Sequence, residues 1–205
     1  MKNRRDTYRT LAKPSTGKYM EKGSRFLAYA FPVSSEYEAR NRLLEVKKEH
    51  PTARHHCYAF SIGSDNPMQR THDAGEPSGT AGKPIMGQII SEELTDVIII
   101  VVRYFGGTLL GTSGLIRAYR AAAADALDNS EKEIHDIHEF YQISFAYEKL
   151  SEVMKIIKDI GIAIRKQETD NTCFYQLGIP RKSKERAMLT LNKIAILKSD
   201  ESDLY

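Results

Sequence analysis

Six consecutive branched aliphatic residues, Val97–Val102, constrain this 205-residue chain more than any other feature. The run has the length of one strand, and it offers neither face of that strand to water. Such a strand must lie inside a sheet covered on both sides. Gly-rich stretches bracket it. Eight of the thirteen glycines fall between Thr71 and Tyr119: Gly75, Gly79, Gly82, Gly87, Gly106, Gly107, Gly111 and Gly114. Glycine costs backbone entropy on folding, so this concentration has one of two reasons. It builds tight turns beside the strand, or it forms a backbone surface that a ligand approaches closely.

The remaining elements follow from local pattern. Arg25–Val33 alternates and reads as a strand that ends near Pro32. Ser35 and Glu38 form a capping-box pattern ahead of a helix over 36–49, with Pro51 beyond its end. Ala53–Ile62 is a second strand. His56, Tyr58, Phe60 and Ile62 take one face, and His55, Cys57, Ala59 and Ser61 the other. Ser64–Gly82 shows no periodicity and is expected to be a long polar loop. Helices are expected over 84–94 and 112–129. The charged stretch 129–138 is expected to separate two domains. Beyond it come a strand (140–147), a helix (150–160, stopped by Gly161), a hairpin (162–167 and 173–178), a helix (183–192) and a short strand (195–197). That β-α-β-β-α-β order predicts a small ferredoxin-like domain. The class is therefore α+β, in three parts: a basic flexible arm over 1–17, an N-terminal domain over 18–134 and a C-terminal domain over 135–205.

Charge is unevenly distributed. Residues 1–25 hold eight Lys/Arg against two Asp/Glu, whereas residues 26–137 hold eleven against fifteen. The basic start is either a contact for an acidic partner such as RNA or a solvated tail. No apolar run approaches the roughly 18 residues of a membrane span. Cys57 and Cys173 lie far apart and form no CxxC motif, which fits a reducing cytosol. A cytoplasmic protein with no membrane partner and no cofactor is expected.

Strand, Gly-rich loop and helix in succession over 96–128 point backbone N–H groups at an anion. Gly106–Gly111 has the spacing of a nucleotide-binding loop, but Thr112 stands where that loop needs lysine, so nucleotide hydrolysis is set aside. The candidate nucleic-acid or anion contacts are Lys83, Arg103, Tyr104, Gly106, Gly107, Gly111 and Arg117, with Arg120 one turn beyond Arg117. Arginine grips phosphate, and an aromatic ring stacks a base. Alternatively an arginine pairs with Glu76 or Asp73 and ties the two loops together. One arginine is expected in each role, and the sequence does not say which. His55, Asp73, Glu76, Ser78 and Thr80 either organise the long loop or form an alternative hydrolase site. GEPSG is not a nucleophile elbow. Adjacent His55 and His56 point to opposite strand faces, so they cannot share a metal ion.

DAGEPSGTAGKP (73–84) and VVRYFGG…LGTSGLIRAY (101–119) resemble the two signatures of the IMPACT/YigZ family. The resemblance runs from about Lys18 to the C-terminus and favours the bacterial branch. It implies an N-terminal domain resembling domain 2 of a small-subunit ribosomal protein, an α/β sandwich. It also implies a C-terminal domain resembling domain V of elongation factor G. Eukaryotic members of the family act as translational regulators. The function expected is therefore non-enzymatic binding of RNA or the ribosome, with regulation of translation. A small hydrolase and a docking module for a translation factor are the alternatives.

Overall fold

The computed structural model describes residues 5–199. They form two compact units: Thr7–His135, and the described part of Met1–Asp6 with Asp136–Tyr205. The first unit contains, in chain order, β1 (Thr7–Leu11), β2 (Ser15–Glu21), β3 (Ser24–Pro32), α1 (Glu36–Glu49), β4 (His55–Ile62), β5 (Met68–His72), α2 (Gly82–Ser91), β6 (Val97–Tyr104) and α3 (Gly111–Asp128). β7 (Lys132–Asp136) runs to its end and pairs with β1.

β6 is the middle strand of an antiparallel sheet ordered β2-β3-β6-β4-β5. Its alternation explains the unbroken apolar run. Val97, Ile99 and Val101 pack against α2 and α3, among Phe26, Ala59, Ile85, Ala118 and Ala122. Ile98, Ile100 and Val102 pack on the opposite face, under α1, with Val33, Ala39, Val46 and Phe60. All six are at most 1% exposed, and each such burial is worth about 1.5–3 kcal/mol. α1 begins where the capping box places it. Ser35 Oγ accepts from Glu38 N at 3.2 Å, and the Glu38 carboxylate accepts from Ser34 N at 2.7 Å.

Three expectations need correction. Within the expected flexible arm over 1–17, Thr7–Leu11 is strand and Ser15 begins a second one. β2 pairs along its length with β3 and lies on α3, where Ser15 Oγ donates to Ala126 O and Lys18 N to the Asp125 carboxylate, each at 2.8 Å. The expected loop 64–82 contains β5, an edge strand paired to β4 and exposed at every residue. With both faces wet, β5 has no apolar alternation to read. The charged connection 129–138 contains β7, mostly exposed for the same reason.

The second unit contains β8 (His138–Ala146), α4 (Leu150–Ile160), β9 (Ala163–Glu168), β10 (Thr172–Pro180), α5 (Lys184–Leu191) and β11 (Ile196–Ser199). Its sheet is ordered β11-β8-β10-β9, with every neighbouring pair antiparallel. Ile143, Phe145, Cys173, Tyr175 and Leu177 form its core with Val153 and Ile157 of α4 and Ala187 and Leu191 of α5. Gly161 closes α4 in the left-handed conformation, at φ 74°.

Candidate functional site

The loop between β5 and α2 is built around Asp73. Its carboxylate accepts from three backbone N–H groups: Gly79 at 2.8 Å, Ala81 at 3.0 Å and Gly82 at 2.8 Å. Ala81 caps α2 and has no side-chain hydrogen bond of its own to offer. Asp73 thus seats a negative charge on the positive end of α2, a placement worth about 0.3–1 kcal/mol, more where partly buried. Partial burial pushes its pKa up, but the three N–H donors together outweigh that and hold the carboxyl below its ordinary value. Thr80 Oγ1 donates to Pro77 O at 2.7 Å, and the His55 Nδ1–H faces Ala74 O at 3.0 Å. Ser78 is exposed.

Beneath this loop lies a buried polar relay. Arg103 Nη1 donates to Glu76 Oε1 at 2.7 Å, with the two side chains 7% and 3% exposed. Tyr119 Oη donates to the same oxygen at 2.8 Å. Cys57 Sγ lies 2.9 Å from Asp73 O and 3.3 Å from Tyr119 Oη. Burial pushes the Cys57 thiol up to about 12, so it is no nucleophile at neutral pH. The Arg103 guanidinium sits between the rings of Phe26 and Phe105, at 5.5 Å and 5.6 Å. Arg103 is the arginine that ties the loops together, and its expected role as a phosphate contact is corrected. Tyr104, the next residue of β6, points to the α1 face, where its hydroxyl lies 2.8 Å from His50 Nδ1. Strand alternation therefore prevents Arg103 and Tyr104 from gripping one nucleotide.

The accessible cations lie on the helices. α2 and α3 flank a cleft of about 450 Å³ lined by Gly79, Lys83, Pro84, Gly87, Gln88, Ile116 and Arg120. Lys83 and Arg120 are exposed, and among the described residues neither has a carboxylate partner. Arg117, on the exposed side of α3, is ion-paired to Glu21. Gly106, Gly107 and Gly111 are exposed in the loop and first turn ahead of Arg117. α3 starts without a side-chain cap, whereas the start of α2 is already filled by Asp73. Arg120 carries no motif signal. Its i, i+4 spacing from Ile116 is the pattern that puts both on one helix face. Among the described residues no three His, Cys, Asp or Glu side chains are grouped to hold a metal ion, and no helix is long and apolar enough to cross a membrane.

The Impact N-terminal domain matches residues 22–127. An IMPACT family member of Haemophilus influenzae is 36% identical over 166 residues, which cover 80% of this chain and 81% of that protein. YigZ of Escherichia coli is 41% identical over 108 residues, covering 52% of this chain and 53% of YigZ. Protein IMPACT of Xenopus laevis is 35% identical over 97 residues, only 30% of its own length. A solved structure of a hypothetical protein superposes with a TM-score of 0.79 at 26% identity, covering 97% of this chain and 100% of that one.

Proposed function

The chain belongs to the IMPACT family, and we propose that it binds RNA on the ribosome through the α2–α3 cleft, as a cytoplasmic regulator of translation rather than an enzyme. One observation carries the reading: Lys83 and Arg120 line one cleft without acidic partners among the described residues, while the nearby carboxylates are taken. Asp73 is held by backbone amides, Glu76 by Arg103 and Tyr119, and Glu21 by Arg117. A phosphodiester meets two free cations there, close to the uncapped start of α3 with Gly107, Gly111 and Arg117. The translational role follows from the family resemblance. The strand order of the second unit supports its likeness to domain V of elongation factor G, and the two-sided sheet of the first supports the sandwich likeness.

The hydrolase alternative has less support. Ser78 Oγ has no partner among the described residues, and Asp73 and Glu76 are already engaged, so no base is positioned on a nucleophile. The test is fluorescence anisotropy with single-stranded RNA, and co-sedimentation with purified ribosomes, over a salt series. Lys83→Ala/Arg120→Ala is expected to weaken binding across sequences. It should also flatten the log–log salt slope by about 1.4, at roughly 0.7 per lost phosphate contact. Wild-type affinity in that folded double variant overturns the reading.

A further inference from the structure

Gly87 stands in the middle of α2 and lines the α2–α3 cleft. Glycine is disfavoured against alanine in a helix interior, so its presence there needs a cause. Packing supplies one for Gly82 of the same helix, where a Cβ would lie 2.8 Å from His72 N. It supplies none for Gly87, which is exposed and would have nothing within 4 Å of its Cβ. The bare backbone at Gly87 leaves room in the cleft rather than room for a neighbouring element.

The cleft walls differ in chemistry around this opening. Lys83 and Gly87 lie one turn apart on α2, as do Pro84 and Gln88, and Ile116 and Arg120 lie one turn apart on α3. The Lys83 side chain folds toward the preceding loop, with Nζ 3.9 Å from the point where a Cβ on Gly79 would sit. Pro84 is buried and Ile116 half-buried, and with the Gly87 backbone they make an apolar wall. Gln88 is half-buried, and its side-chain amide has no hydrogen-bond partner among the described residues. Its backbone carbonyl is the group in use, accepting from Ser91 Oγ and Glu92 N. A side-chain amide presents a donor and an acceptor side by side. The cleft volume of about 450 Å³ lies within the range of small-molecule sites. A phosphodiester backbone alone would use the two cations but neither the apolar wall nor the amide. A nucleobase uses both, with a flat apolar face and an edge of donors and acceptors.

We propose that the cleft takes one nucleotide of single-stranded RNA with its base turned in. One face of the base lies against Pro84, Gly87 and Ile116, Gln88 hydrogen-bonds its edge, and the flanking phosphates meet Lys83 and Arg120. The inference rests on the cleft reading above and deepens it from phosphate contact to recognition of an unpaired base. Bases splayed out of a single strand are read on their hydrogen-bonding edges in this way. A glutamine amide matches two adjacent edge atoms of adenine, so oligo(A) is the probe.

The experiment uses the full chain and two fluorescein-labelled probes of equal length, oligo(A) and an abasic phosphodiester that carries the phosphates without the bases. Anisotropy at low salt is expected to show that the wild type prefers oligo(A). Gln88→Ala should lower that preference about 5- to 150-fold, the range for loss of one two-point base contact. Gly87→Leu fills the opening and should lower it as well. Its melting temperature should stay at or above that of the wild type, because leucine is the better helix former. Lys83→Ala/Arg120→Ala should weaken both probes. Equal wild-type affinity for the two probes overturns base insertion and leaves the phosphate cleft standing, as does a preserved preference in either Gln88→Ala or Gly87→Leu. Unchanged binding of both probes in Lys83→Ala/Arg120→Ala overturns both readings. Displacement of oligo(A) by AMP at matching nucleotide concentration would make the cleft a mononucleotide site and overturn the proposal of an RNA strand.

Discussion

Replacing Glu76 with alanine tests the buried relay most directly. Arg103 would keep its charge at 7% side-chain exposure with no counter-ion. Breaking a buried pair from one side costs about 3–5 kcal/mol, because the remaining charge is uncompensated. The Tyr119 hydroxyl, in a wholly buried residue, also loses its acceptor, which adds about 1 kcal/mol. Arg103 Nε is already without a partner, so the guanidinium has little to fall back on. Against a total stability of about 5–15 kcal/mol the loss is a large fraction. At about 2–4 °C per kcal/mol for a chain of this size, the melting temperature should fall by roughly 8–24 °C. Glu76→Gln keeps an acceptor for both donors and should fall between wild type and Glu76→Ala. Urea unfolding followed by far-UV circular dichroism measures all three. The double variant Glu76→Leu/Arg103→Leu removes both charges together, so its cost should be at least about 2 kcal/mol less than the sum of the single changes. A Glu76→Ala loss under about 1 kcal/mol, or additive costs in that cycle, would refute the reasoning.

Two further outcomes follow from the same region. A Cβ on Gly106 would lie 1.9 Å from Gly23 C and 2.1 Å from Ser24 N, whereas Gly107, at φ +87°, has nothing within 4 Å of the same atom. Gly107→Ala should therefore cost only its left-handed strain, about 1–2 kcal/mol, and Gly106→Ala distinctly more, since backbone must move; thermal melts in the reverse order would contradict this. The Asp73 carboxyl is held low in the folded chain, so its contribution is fully present above its unfolded value near pH 3.9 and is lost as pH falls below that. Asp73→Asn should lower stability at pH 7 and flatten its decline as the pH falls below about 4, and parallel urea-midpoint profiles for the two proteins would count against the Asp73 cap.

Much of the architecture was legible from neighbouring residues. The capping pair Ser35 and Glu38 marks the start of α1, Gly161 marks the end of α4, and the unbroken run of β6 marks a strand covered on both faces. The edges were not legible. β5 and β7 expose almost every side chain, and β2 alternates only between exposed and half-buried positions, so none shows a clear apolar period. In the candidate site, the sequence identified the loop residues but left the role of each arginine open.

The sequence by itself determined where strands and helices form and which of their faces are apolar, because periodicity, caps and turn residues act within a few positions. Only the tertiary structure decided that Arg103 meets Glu76, 27 residues away, and that Lys83 and Arg120 share one cleft from two helices. Charge and chain spacing permitted Arg103, Arg117 or Arg120 to take the buried acid. The choice fell to Arg103 because β6 holds it inside the sheet, facing α2 and α3, where an unpaired charge costs most and Glu76 is the carboxylate within reach.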